Sequence, residues 1–236
     1  MKHYVIIVAA GRGSRMQSPT PKQFLKLDGR PVLLHSIAAF ADYDKDIIVI
    51  LVLPASEFSH WEKIAQEYKL PVPVQITAGG ETRFESVKNG LSLIPDEEAL
   101  VAVHDAVRPL VTKKTILNSF NMAELNGSGV PSIPLSDSIR QNDSKPSVAV
   151  DRSKYCLIQT PQCFSVPLLK KAYSQEYKYT FTDDASVVES FGESIHLVDG
   201  NVDNFKLTTP TDLIIAEAIL KSRRTVAGDL NGGTLL

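Results

Sequence analysis

Cysteine, an excess of either charge and long apolar runs are all scarce in this chain, and each scarcity excludes something. The two cysteines, Cys156 and Cys163, stand seven apart in 236 residues. That is neither a zinc spacing nor a disulfide framework, and two thiols suit a reducing cytosol, where they read as small half-buried hydrophobes. Lys and Arg total 25 against 27 Asp and Glu, a net charge of −2. Binding a nucleic acid polymer needs a basic surface that displaces counterions, so no such partner is expected. No apolar run approaches the roughly 20 residues of a membrane-spanning helix, so no membrane partner is expected either. The apolar run at 4–10 follows Lys2 but is strand-length and passes directly into Gly11-Arg12-Gly13. It reads as a first buried strand of a cytoplasmic protein rather than a signal peptide.

What is present is ordinary globular material, 43% apolar and 22% charged, enough for one large α/β domain with a substantial core. Val- and Ile-rich runs at 4–10, 47–53, 72–77, 100–104, 129–134 and 195–198 mostly lack apolar/polar alternation, the pattern of strands covered on both faces. Helical-period segments at 32–40, 57–68, 83–94, 114–125, 168–175, 183–190 and 211–222 lie among them. The last opens Thr209-Pro210-Thr211-Asp212, a hydroxyl cap, a first-turn proline and an acid at the positive helix end. This alternation predicts a doubly wound, mostly parallel, Rossmann-like sheet, with ligands beyond the carboxyl ends of its strands. One domain is expected over 1–226, with a flexible tail at 227–236. Within it, 136–159 breaks the alternation as two extended segments around a polar turn at 142–146, which reads as a β-hairpin arm.

The near-neutral total hides a local feature. From Arg12 to Arg30 stand Arg12, Arg15, Lys22, Lys26 and Arg30 with one acid, Asp28, a local charge of +4. The stretch contains Ala9-Ala10-Gly11-Arg12-Gly13-Ser14-Arg15-Met16 and then Pro21-Lys22-Gln23-Phe24. Glycines at a strand's carboxyl end let backbone N–H groups approach an anion, and Arg15 and Lys22 add mobile positive charge for phosphate oxygens. A dinucleotide fingerprint would need glycine where Met16 stands, and the Gly-Lys-Ser/Thr of a P-loop is absent. Asp105, in His104-Asp105-Ala106-Val107-Arg108-Pro109, sits just past a strand and is a candidate ligand for Mg²⁺, which takes one or two carboxylates plus substrate phosphates. His104 reads as hydrogen-bonding the strand end. Gly79-Gly80-Glu81 brings backbone close enough to approach a flat ring, with the Ser86 hydroxyl nearby.

AAGRGSRM with PKQF, then AGGETRFESV, HDAVRP, VDRSKYCLIQTPQCF, TDDASVVE and DNFKLTTPTD follow one another in this order. Together they closely resemble the 2-C-methyl-D-erythritol 4-phosphate cytidylyltransferases of non-mevalonate isoprenoid synthesis, over residues 4 to about 222. The resemblance implies a nucleotidyltransferase that moves a cytidylyl group from CTP to a sugar-alcohol phosphate and releases pyrophosphate. Carried over by position, Gly11 and Gly13 wrap the triphosphate, beside Ala9. Arg15 and Lys22 stabilise the transition state at the α-phosphate, and Asp105 holds the Mg²⁺ cofactor. Ala10, Gly80, Glu81, Ser86 and Ala106 surround the cytidine. Arg108, Thr160 and Lys206 attend the acceptor, while Ser138 and Arg152 lie on the arm, which in the family reaches into the other subunit of a homodimer. Arg152 and Lys206 join Arg15 and Lys22 in the catalytic set. Three positions depart from the pattern: Ser138 stands where threonine is common, Gln17 where glycine is, and Glu81 where relatives have aspartate.

The chemistry asks for this set. A phosphomonoester is largely dianionic near neutral pH because its second pKa is about 6, so no general base is required. The obstacle is an anion attacking a polyanion, which calls for cations, N–H donors and in-line positioning. A ribitol 5-phosphate cytidylyltransferase is the nearest alternative, but Val150-Asp151-Arg152 and the Ala9-Ala10-Gly11 start resemble the methylerythritol enzymes more. A non-catalytic nucleotide-binding module would not need Arg15, Lys22, Asp105 and Lys206, and a nicotinamide enzyme lacks its fingerprint.

Overall fold

The Val- and Ile-rich runs become strands of a mixed eight-stranded sheet, four of them inside it and those at 72–77 and 195–198 at its edges. The computed structural model describes residues 1–11, 18, 20–95, 98–142 and 146–232. In chain order the strands are β1 (Lys2–Val8), β2 (Lys26–Leu27), β3 (Arg30–Pro31), β4 (Ile48–Leu53), β5 (Val74–Ala78) and β6 (Ala99–Asp105). They continue as β7 (Ser128–Pro134), β8 (Ile139–Gln141), β9 (Val148–Val150), β10 (Cys156–Ile158), β11 (Gln162–Ser165) and β12 (Leu197–Asp199). The helices are α1 (Val32–Tyr43), α2 (Phe58–Glu67), α3 (Arg83–Leu91), α4 (Lys113–Asn126), α5 (Val166–Ala172), α6 (Asp184–Ser190) and α7 (Pro210–Gly232).

The absence of alternation has a direct cause. In β1, Val5 and Ile7 face a core with α1, α2 and α4, while Tyr4 and Ile6 face a second core with α3, α5 and α6. β4 divides the same way, Val49 and Leu51 to one side and Ile50 and Val52 to the other. Each fully buried Ile or Leu contributes about 1.5–3 kcal/mol, so both layers of helices are held by the same strands. No helix among the described residues is long and apolar enough to cross a membrane.

The main path runs β10-β7-β11-β6-β1-β4-β5, with β12 also on β7. β6, β1, β4 and β5 are mutually parallel, and β11 enters antiparallel beside β6. Register then assembles the site: Val8 pairs with Val52 and Asp105, and Leu53 pairs with Ala78. The segments starting at Ala9, Gly79 and Ala106 therefore leave the sheet side by side. Gly79 cannot carry a side chain, because a Cβ there would lie 2.4 Å from that of Ala10.

β8 and β9 form the expected hairpin, with their own two-stranded pairing. The chain returns to the main sheet at β10, so only part of 136–159 stands off it. Residues 143–145 of the turn lie outside the described residues. The last helix runs past 222 and through 227–232, where fraying is expected from the sequence. Its start fits the capping motif, with the Asp212 carboxylate accepting from the N–H groups of Thr208 and Thr209 at 2.8 Å each. Cys163 is buried and Cys156 exposed, both as free thiols.

Candidate active site

A cavity of about 590 Å³ opens at the carboxyl ends of β1 and β6, lined among others by Ala9, Ala10, Gly11, Lys22, Gly80, Glu81, Ser86, Asp105 and Lys206. These are sequence-predicted residues that the fold brings together from separate segments. Gly13 and Arg15 lie outside the described residues.

Lys22 opens a tight turn, Lys22–Phe24, whose other members are buried. The Gln23 amide donates to the Ala9 carbonyl at 2.8 Å, and the Phe24 ring packs 4.4 Å from that of His60. With the two following residues anchored, Lys22 lines the cavity, its Nζ 3.5 Å from the carbonyl of Leu207. Across the cavity, the Thr82–Glu85 capping box starts α3. The Ser86 hydroxyl accepts from the Gly80 N–H at 3.2 Å and donates to the Thr82 carbonyl at 2.9 Å. That fixes the glycine loop in an open shape against Ala10.

Asp105 is the electrostatic centre. Its Oδ2 lies 3.0 Å from Lys206 Nζ and 3.4 Å from Arg108 Nε, and its Oδ1 lies 3.8 Å from Arg83 Nε. Burial alone would raise its pKa, but Arg83, Lys206 and Arg108 outweigh it and hold the carboxyl far below the usual range. The group is an anion throughout the physiological range. Among the described residues no cluster of three or more His, Cys, Asp or Glu is placed to cage a metal. Mg²⁺ does not need one, since a single carboxylate plus substrate phosphates suffices. Oδ1, whose nearest cation among the described residues is 3.8 Å away, keeps acceptor capacity for it.

Arg83 is the charged lining residue, among those described, that the sequence did not assign. It sits at the first position of α3, where the helix dipole disfavours a cation. Its Nη2 is 2.6 Å from Oδ2 of Asp184, a fully buried acid whose other oxygen accepts from the Tyr173 hydroxyl at 2.6 Å. Although burial pulls the other way, Asp184 and Asp105 raise the Arg83 pKa further. The dipole mismatch was visible in the sequence; the partner, 101 residues away, was not.

Other predicted residues line no part of this cavity. Thr160 is 4% exposed, and its hydroxyl oxygen accepts from the Asp105 N–H at 3.0 Å. Ala106 is fully buried, its N–H donating to Val8 and its carbonyl accepting from Ser36. Arg108 stands behind Asp105, donating to the Asn204 carbonyl at 2.7 Å. Ser138 and Arg152 are exposed on the arm, where Arg152 donates to the carbonyl of Ser136.

His104 closes a chain of hydrogen bonds behind the site. Its Nε2 is 3.2 Å from the Arg108 carbonyl and its Nδ1 3.1 Å from Thr160 Oγ1. The carbonyl can only accept, so Nε2 carries the proton and Nδ1 accepts from threonine. Burial lowers the His104 pKa to about 4 in spite of the neighbouring Asp105. Because the folded value is below the unfolded one, this neutral histidine stabilises the fold fully above about pH 6.5. That contribution is lost as pH falls toward 4. Between pH 7 and 4.5, wild type is expected to lose about 2–3 kcal/mol more stability than His104→Gln. Urea unfolding at both pH values checks this; equal losses would remove His104 as the cause.

The family model IspD, 2-C-methyl-D-erythritol 4-phosphate cytidylyltransferase, matches residues 3–222. The enzyme of that name from Bacteroides thetaiotaomicron is 47% identical over 220 residues, 93% of this chain and 100% of its own. The chain is also similar to the solved structure of 4-diphosphocytidyl-2C-methyl-D-erythritol synthase from Anaerococcus prevotii, with a TM-score of 0.79, 28% identity and coverage of 93% and 98%. The 2-C-methyl-D-erythritol 4-phosphate cytidylyltransferase structure from Thermus thermophilus gives a TM-score of 0.75 at 31% identity, covering 94% and 100%.

Proposed function

The chain belongs to the 2-C-methyl-D-erythritol 4-phosphate cytidylyltransferase family, and we propose that the cavity around Asp105 is where it performs the family's reaction. It transfers the cytidylyl group of CTP to 2-C-methyl-D-erythritol 4-phosphate, giving 4-diphosphocytidyl-2-C-methyl-D-erythritol and pyrophosphate. The relatives are named for this acceptor, which sets the ribitol phosphate alternative aside.

The observation that carries the site assignment is the convergence of Lys22 and Lys206, with Asp105 between Lys206 and two arginines, on one cavity. In the proposed reaction an oxygen of the acceptor phosphate attacks the α-phosphorus of CTP. The bond from that phosphorus to the bridging oxygen breaks, and its electron pair leaves with pyrophosphate. Lys22, with Arg15, neutralises the α-phosphate as charge gathers on it. Lys206 is held toward the acceptor by Asp105, and Arg108 steadies the same carboxylate. Ala10, Gly80, Glu81 and Ser86 form the slot for the base. Asp105 Oδ1 is the protein ligand proposed for Mg²⁺, which when bound supplies further neutralisation of phosphate oxygens.

The arm is proposed to complete the acceptor site of a second copy in a homodimer. Val148, Tyr155, Leu157 and Ile158, on the arm and at its root, are 55%, 53%, 52% and 37% exposed, an apolar patch that a partner would cover. Arg152 then serves the cavity of the partner subunit. Mixed Arg152→Ala and Lys22→Ala chains are expected to regain activity, because one of the two sites in a heterodimer has both residues intact. Activity is measured on purified, differently tagged heterodimers against each parent homodimer. Heterodimers no more active than the parents would refute the shared site.

A further inference from the structure

We infer that Arg223 and Arg224 are positioning residues that brace two walls of the cavity, one carrying Lys206 and the other Lys22. Both arginines follow directly after residue 222, where the family's matched span ends. The brace therefore lies on the part of α7 that continues beyond that span.

Both terminal nitrogens of Arg223 donate to the Leu110 carbonyl at 3.1 Å, and Nη2 is also 3.1 Å from the Asp203 carboxylate. Leu110 lies two residues beyond Arg108, and Asp203 three residues before Lys206. One guanidinium thus joins the two segments whose cations meet at Asp105. The same Leu110 carbonyl accepts from the Asn201 amide at 3.2 Å, so the linker before Lys206 is tied to Leu110 at two points.

Arg224 points elsewhere, since successive helical residues are turned by about 100°. Its Nη2 is 2.5 Å from Asp28 Oδ1. Asp28 and Gly29 have φ of 52° and 77°, the left-handed pair of a two-residue hairpin turn between β2 and β3. Asparagine or aspartate tolerates that conformation better than other side-chain-bearing residues, and an ion pair here holds the turn in place. The hairpin starts just after the Lys22–Phe24 turn, and Leu27 and Leu207 share an apolar cluster with Ala216 of α7. α7 therefore reaches both the Lys22 and Lys206 walls, and the adjacent arginines fix one each. Neither arginine lines the cavity, so their effect on chemistry is indirect. Charge-assisted bonds of this kind are directional, which suits alignment more than bulk stability.

This inference rests on the proposed roles of Lys22 and Lys206. The test uses full-length Arg223→Ala, Arg223→Lys and Arg224→Ala, with Lys206→Ala alongside, in steady-state assays that vary CTP and methylerythritol phosphate separately. Arg223→Ala is expected to raise KM for methylerythritol phosphate about tenfold, leave KM for CTP within twofold and shift Tm little. Arg223→Lys, which keeps one charge-assisted bond, should recover part of that loss. Arg224→Ala should instead lower kcat a few-fold at saturation with both substrates. Arg223→Ala with both KM values within twofold of wild type overturns the brace. So does a matched fall in Tm and in efficiency toward both substrates. Lys206→Ala with wild-type kinetics overturns the site assignment beneath it.

Discussion

Lys22→Ala is expected to lower the turnover number about 10²- to 10³-fold while KM for CTP changes little. The reasoning is differential binding. In the ground state the triphosphate would have the proposed backbone N–H groups and Mg²⁺ for neutralisation, so one lysine adds modestly to affinity. In the transition state, charge crowds onto the oxygens of the transferring phosphorus, and a cation already fixed there is worth about 3–4 kcal/mol, as for an oxyanion-hole donor. Lys22 meets the requirement of being fixed in advance, because buried Gln23 and Phe24 anchor its turn and its ammonium rests near the Leu207 carbonyl. Steady-state kinetics with a parallel Tm measurement decides the matter. A near-wild-type turnover number would take Lys22 out of the mechanism, and a large rise in KM alone would reduce it to a binding residue. Arg15 is expected to behave likewise; it lies outside the described residues, so its case rests on the sequence.

The second large effect is expected from Asp105→Asn. The substitution keeps the shape but removes the negative charge that Lys206, Arg108 and Arg83 surround. Two consequences follow from that loss. The proposed Mg²⁺ loses its protein carboxylate, so the metal concentration for half-maximal activity should rise at least about tenfold. Lys206 also loses the partner that orients it, so turnover at saturating metal should still fall about 10²-fold or more. Activity titrated with MgCl₂ after chelation separates the two. An unchanged metal requirement would show that Asp105 serves Lys206 and not the ion. Unchanged turnover at high metal would show the reverse.

β1, β4 and β6 are legible in the sequence because burial on both faces leaves an unbroken apolar run of strand length, rich in Val and Ile. β11 is not. It is four residues long, and it starts with a buried Gln162 whose amide donates to Asp183 and accepts from the Ala185 N–H, both at 2.8 Å. A polar residue satisfied across 21 and 23 residues of sequence has no local signature. The glycine turns and the cation-rich loop were readable because backbone freedom and charge are properties of residue type. Thr160 shows the opposite limit. Resemblance places its hydroxyl at the acceptor, whereas in the fold it is 4% exposed and spans Asp105 and His104.

By itself the sequence determined the period of each element, the places where the chain must turn sharply and the kinds of charge available, since these depend on neighbours along the chain. Through the order of its motifs it also determined the family. Tertiary structure alone decided which charges distant along the chain meet. Arg83 and Lys206 come from distant segments to the carboxylate that Arg108 meets from only three residues away, and Arg83 needs Asp184 to stand there. The reason is physical: an ion pair at about 3–4 Å depends on separation in space and on the water excluded around it. Parallel register supplies the separation, helices packed on both faces of the sheet supply the exclusion, and neither quantity is written in the spacing of the residues.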